Sequence, residues 1–170
     1  MSMTGAFLRV RRDVLERCIA DPQFLHSVAF EWNNIVEEFD VGRYWDALHF
    51  LLSELRRRGR EASGNPADTG GYAIHGARVA NIGAATAYGP IRYLADEEIN
   101  EVTAMLRLID EKFLCDTFDA ARMDAAGVYP GHWSQAGDAI VGEVIVAFQE
   151  LKAFYQRAQT EQTPVIAFIV

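Results

Sequence analysis

Apolar positions recur along this chain at two spacings, and the changes of spacing mark its elements. From Thr4 to Val10 β-compatible residues gather around Phe7, which predicts a strand. Asp13 then caps a short helix over Val14 to Ala20, with Val14, Leu15, Cys18 and Ile19 on one stripe. Asp21-Pro22 stops that helix and opens a second, which runs to about Phe30 with Phe24, Leu25 and Val28 facing inward. The next helix differs in kind. Asp40 is its predicted N-cap; Val41, Trp45, Leu48, His49, Leu52 and Leu55 share one face, and Ala47, Phe50 and Leu51 cover much of the rest. A helix apolar on most sides belongs at the centre of the fold. Arg56-Arg57-Arg58-Gly59-Arg60 ends it, with cations at the negative end of the helix dipole and Gly59 as the left-handed cap.

Periodicity then lapses. Glu61 to Gly76, which includes Ser63, Gly64, Asn65, Pro66, Gly70 and Gly71, reads as a long loop. Tyr88-Gly89-Pro90 is a turn, Ile91 to Leu94 a short extended piece, and Asp96, Glu97 and Glu98 crowd the first turn of a helix that carries Ile99, Val102, Leu106, Ile109 and Phe113. A further helical stretch reaches about Met123. After the aromatic-proline turn Gly127 to Trp133, Ser134 is the predicted N-cap of a long helix from Gln135 to about Gln162. Its stripe is Ile140, Val144, Phe148, Leu151, Tyr155 and Ala158. Thr163-Pro164 leads into a last strand, Val165 to Val170, apolar throughout and therefore in need of cover on both faces. The expected architecture is a helix-rich α+β single domain over residues 1–170, with a small mixed sheet that includes the N- and C-terminal strands.

Composition narrows the classes. The 170 residues are 50% apolar, enough for one sizeable core, and the net charge of −8 argues against nucleic acid or an anionic membrane surface as a partner. The N-terminus has no basic flank and long apolar run, and the C-terminal run is far shorter than the ~20 residues of a spanning helix, so the expected compartment is the cytoplasm. Cys18 and Cys115 have neither disulfide-framework nor zinc-ligand spacing. GxSxG, Walker and GxGxxG motifs are all missing, so no cofactor and no metal are expected.

Chemistry is carried by a few residues. His49 sits one helical turn from Trp45; it is either a core histidine with a satisfied ring or a general base. Arg92 points away from Ile91 and Tyr93 if that segment is a strand, and either pairs with a carboxylate or takes an anionic ligand by its planar fork. Tyr88 is a neighbour from the preceding turn. Tyr129-Pro130-Gly131-His132-Trp133 has the composition of a recognition loop, although aromatics on such turns commonly lock the loop to the core. His75 and His132 lack an i, i+4 companion, and Arg56 to Arg60 form the one basic cluster. The candidate pocket is His49, Tyr88, Arg92, Trp45 and Trp133.

In order, Trp45-Asp46-Ala47-Leu48-His49-Phe50-Leu51-Leu52, Tyr88-Gly89-Pro90-Ile91-Arg92-Tyr93-Leu94 and Tyr129-Pro130 with Trp133 resemble the YfbM-like family of bacterial proteins of unknown function. The resemblance implies an α+β fold of that type and a bacterial, cytoplasmic origin, and carries no catalytic residues with it. Two departures stand out: Ala95 replaces the usual Ser or Thr before the Glu-Glu helix start, and Ser53-Glu54 with an arginine-rich tail replaces Thr-Gly after the Leu-Leu pair. The leading expectation is a non-catalytic binding or protein-interaction module, of the immunity type or self-associating into a homo-oligomer. The alternative is a small-molecule hydrolase or transferase using a cleft near His49 and Arg92.

Overall fold

Strand β1, Gly5–Val10, is buried along its whole length, and the fold is organised around it. The computed structural model describes residues 2–28, 32–63, 69–81, 83, 85–137 and 139–170, with backbone alone at 26, 28, 32 and 55–63. After β1 come α1 (Arg12–Ala20), α2 (Pro22–Val28), β2 (Ile35–Asp40), α3 (Trp45–Ser63), α4 (Thr69–His75), β3 (Arg78–Val79), β4 (Ala85–Thr86), β5 (Gly89–Pro90) and β6 (Arg92–Leu94). Helices α5 (Asp96–Arg107), α6 (Glu111–Thr117), α7 (Ala120–Ala125) and α8 (Ala139–Glu161) precede β7 (Val165–Ile169).

The main sheet has the order β2-β1-β7-β6-β3. Every pairing in it is antiparallel, where a mixed sheet was expected: β7, the apolar run that demanded cover, is flanked by β1 and β6, both running against it. Period-2 alternation assigns the two faces. Phe7, Leu94, Val165 and Ala167 enter a large core shared with α3, α4, α5 and α8. Leu8, Val10 and Ile166 enter a smaller one beneath Val14, Leu15 and Cys18 of α1 and Leu25 of α2. The result is three layers, with most helices on one side of the sheet. Among the described residues no helix is long and apolar enough to cross a membrane.

Several boundaries differ from the pattern reading. Strand β2 was not anticipated, because Val36 points outward while Glu37 turns inward, which scrambles its polar alternation. Asp40 accepts the Gly42 N–H at 2.7 Å just ahead of a short 3₁₀ turn whose cap position is Val41, and α3 starts only at Trp45. That helix runs through the arginine segment and Gly59 to Ser63; arginine is a good helix former, and an interior glycine weakens a helix without ending it. The expected loop contains α4. Helix α5 stops at Arg107 instead of continuing to Phe113, and Asp110 starts α6 by accepting the Phe113 N–H at 2.7 Å. Glu98 reaches back to the Ala95 N–H at 3.0 Å, which compensates for the missing capping hydroxyl. Ser134 lies in a 3₁₀ turn and gives its N–H to Asp124, while α8 begins at Ala139. Phe30, the expected end of α2, lies outside the described residues.

At one end of the sheet Arg9, only 2% exposed, projects toward α8. Its guanidinium donates to Thr163 Oγ1 at 3.0 Å, to Glu37 and to Glu161, and Arg157 donates to Glu37 from outside. Burial alone would raise the Glu37 pKa; Arg157 and Arg9 outweigh it and hold the carboxyl below its ordinary range.

Candidate functional site

Two glycines assemble the other end of the same sheet face. A Cβ at Gly70 would lie 2.9 Å from the Leu52 carbonyl oxygen, so α4 approaches α3 more closely than any side chain would allow. The two helices run in opposite directions: Leu52 meets Gly70, and the earlier His49 meets the later His75. Gly76 then turns the chain with φ +75°, its would-be Cβ 2.8 Å from Arg92 Cβ, and Ala77 N–H bonds the Tyr93 carbonyl at 3.1 Å. The end of α4 is thereby fastened to β6. One close approach sets His75 beside His49, and the next sets it beside Arg92.

The imidazoles of His49 and His75 meet edge to face, with ring centroids 4.5 Å apart and planes at 81°. Trp45 packs on His75 at 5.8 Å and stacks on Tyr129 at 6.1 Å. Its indole nitrogen is buried without a hydrogen-bond partner among the described residues. Behind His49, its Nδ1 lies 3.9 Å from Asp46 Oδ1, an ion-pair separation longer than a hydrogen bond. Asp46 Oδ2 accepts the Tyr129 N–H at 2.8 Å. Burial would raise the Asp46 pKa, but His49, the Tyr129 N–H and His75 outweigh it, and Asp46 titrates below the usual carboxylate range.

Of these groups, His49 and His75 border a pocket of about 410 Å³. His49, Tyr72 and His75 form its helical wall, Arg92 and Phe168 its sheet side, and Tyr88, on the turn between β4 and β5, its rim. Among the described residues no aspartate or glutamate lines it. Arg92 has no carboxylate partner among the described residues; its guanidinium makes one long hydrogen bond, to the Ala77 carbonyl at 3.5 Å. Its cross-strand neighbours explain this, since Arg92 pairs with Ala167 on one side and Val79 on the other. Neither carries a charge.

Residues 1–168 match the family model described as a domain of unknown function, DUF1877. The chain belongs to the DUF1877 family. The crystal structure of YfbM from Escherichia coli, itself a protein of unknown function, matches this DUF1877 chain with a TM-score of 0.72 at 17% identity, covering 98% of this chain and 99% of that one. At that identity the likeness establishes the fold, and the YfbM-like resemblance read from the ordered motifs stands. No curated protein matches.

Of the expected site residues of this DUF1877 chain, His49, Tyr88 and Arg92 border one pocket, and Trp45 packs against its histidine wall. Trp133 does not join them. It is buried against Phe118, with its indole N–H given to the Val128 carbonyl at 2.8 Å, and it borders a smaller hollow beside Tyr44 and Pro130. The aromatic turn is tied down as a whole, because the Tyr129 hydroxyl accepts the Met3 N–H at 2.9 Å. His75 was not singled out for the pocket; the signal for it was Gly70-Gly71 and Gly76, spaced to let a short helix press on its neighbours rather than to loosen a loop. The Arg56 to Arg60 side chains lie outside the described residues. Burial pushes the Cys18 thiol up to about 11, which makes it inert, whereas Cys115 is exposed. Among the described residues no group of three or more His, Cys, Asp or Glu side chains is placed to hold a metal ion.

Proposed function

We propose that this protein is a binding module for a small anionic molecule, received in the pocket between α3, α4 and β6. The observation that carries the reading is the guanidinium of Arg92: among the described residues no carboxylate lines the concavity it borders, and its one hydrogen bond is a 3.5 Å contact to a backbone oxygen. A partly buried cation without a counter-charge is costly to the fold, and an anion that completes its planar fork recovers that cost on binding. The rings of His49, His75, Tyr72 and Tyr88 supply flat surfaces for the rest of the ligand. An immunity-type role would instead use an outer face. The exposed large apolar side chains Ile19, Val36, Val79 and Val146 lie on four different elements and Leu108 on the turn after α5, as single exposed apolar residues commonly do, and they favour the pocket reading over a docking patch. The buried thiol of Cys18 and the exposed one of Cys115 support a reducing, cytoplasmic setting.

The test is a thermal-shift screen with small mono- and dicarboxylates and phosphates, repeated on Arg92→Met. At least one anion should raise the melting temperature of the wild type in proportion to the logarithm of its concentration and leave Arg92→Met unmoved. Stabilisation that is equal in the two proteins, or absent for every anion, removes the reading.

A further inference from the structure

We propose that the same pocket hydrolyses a small anionic carboxylic ester, with His49 as the general base toward water. This rests on the anion-binding reading of Arg92 and adds a reaction to it.

The geometry points to His49 because its two ring edges have different surroundings. Nδ1 faces the Asp46 carboxylate at 3.9 Å, so Nε2, on the opposite edge of the ring, is the nitrogen left to meet a bound molecule. Asp46 is in turn anchored by the Tyr129 N–H at 2.8 Å. A fixed carboxylate behind an imidazole holds its orientation and stabilises the imidazolium formed when the ring takes a proton, and such contacts are often long before substrate arrives. Asp46 is therefore a positioning residue. His75, packed edge to face on His49, limits rotation of the ring from the other side.

The nucleophile follows from the lining. Among the described residues no serine, threonine or cysteine borders the pocket, and the hydroxyls there are the phenols of Tyr72 and Tyr88. Water is the attacking group. Arg92 lies on the sheet and His49 on the helical wall, so the two address different ends of one ligand: the guanidinium holds an anionic tail, and the imidazole faces the reacting centre. A neutral carbonyl carbon accepts water activated by imidazole, whereas a phosphoryl centre bearing its own negative charge repels that attack. The substrate class is thus a monoester of a short dicarboxylic acid.

In the reaction, water gives a proton to His49 Nε2 as its oxygen bonds to the acyl carbon and the carbonyl electron pair moves onto oxygen. The tetrahedral intermediate collapses, the ester C–O bond breaks, and the imidazolium returns the proton to the departing alkoxide. One water is consumed, a dicarboxylic acid and an alcohol are released, and nothing is oxidised or reduced.

The experiment compares mono-4-nitrophenyl glutarate with neutral 4-nitrophenyl acetate as substrates and measures glutarate binding by calorimetry. The expected results are faster turnover of the anionic ester and, in His49→Gln, a kcat lowered by about a hundredfold or more with glutarate affinity retained. Arg92→Met should raise KM by about ten- to a hundredfold, the range for a hydrogen-bonded charge, with kcat largely kept. Asp46→Asn, which keeps an acceptor for the Tyr129 N–H, should lower kcat while KM for the anionic ester and glutarate affinity are kept, because the His49 ring loses the carboxylate that orients it. His132→Asn, at an exposed imidazole that is not among the residues lining the pocket, controls for surface-catalysed hydrolysis and should behave as wild type. If glutarate binds through Arg92 while His49→Gln hydrolyses the anionic ester as fast as wild type, the catalytic proposal is overturned and the binding reading stands. If glutarate fails to bind and the anionic ester is no better a substrate than the acetate, both are overturned.

Discussion

Arg9 and Arg92 emerge from the same face of the same sheet, two rows apart, and they serve opposite ends. Arg9 lies in the row Glu37, Arg9, Val165, Leu94, so its immediate cross-strand neighbour is a carboxylate. Arg92 lies in the row Phe39, Phe7, Ala167, Arg92, Val79, where no neighbour is charged. The first guanidinium is sealed among Glu37, Glu161 and Thr163; the second opens into a pocket with a single weak bond. Residue type and strand context are shared, so the difference lies in what each row places beside the arginine. A buried cation that the protein completes for itself is part of the scaffold. One that it leaves incomplete is a request for something from solution.

The sharpest way to break this contrast is to remove the scaffold arginine. Arg9→Ala should cost about 3 kcal/mol, as expected when one partner of a buried charge cluster is deleted and the others are left behind, read as a lowered denaturant midpoint. Gly76→Ala comes next. It forces a side chain into a backbone with φ +75° and against Arg92 Cβ at 2.8 Å, so about 2 kcal/mol of stability should go, and the pocket with it. The acid limb separates the two rows further. Glu37 titrates below its unfolded value, so its contribution is fully present above a pH of about 4, the ordinary carboxylate range, and is lost as pH falls through the lower folded value. Acid unfolding should therefore be less steep in an Arg9→Met/Glu37→Leu double variant than in wild type. The smallest effect belongs to Arg92→Met. Without ligand it should raise stability slightly, by about 0.5 kcal/mol, because it removes a partly buried cation that has no counter-charge. A loss above about 2 kcal/mol on the same denaturation assay would mean that Arg92 is scaffold after all.

The two arginines also show how far a sequence reaches. Arg92 could be picked out because an extended segment between a turn and an acid-rich helix start leaves few places for a cation to hide. Arg9 could not, since its reason for being buried is Glu37, a residue on a strand whose polar alternation its own presence disrupts. His49 and Tyr88 were visible for the same reason as Arg92: each is a polar side chain in a segment whose local structure is unambiguous. His75 was hidden by three glycines that read as slack chain, because local composition cannot tell a glycine that frees the backbone from one that admits a neighbouring helix. Trp133 misled in the opposite sense. An aromatic beside a proline turn says that the loop is fastened, and only the fold says that Val128 and Phe118 do the fastening. The fold class, the family and the place of the first and last strands in one sheet rest on longer patterns and survive, although that sheet is antiparallel and pairs the two strands directly.

That pairing reaches into how the molecule comes into being. Residues 5–9 find their neighbours at residues 165–169, and the pocket's sheet side is finished only when Ala167 and Phe168 take their places beside Arg92. During synthesis β1 waits, one edge open, for a segment made roughly 150 residues later, and contacts so distant along the chain are slow to close. The helical layers can gather earlier from local contacts. The pocket is thus among the last parts of the protein to exist, and a chain arrested before Val165 offers a sticky strand in its place.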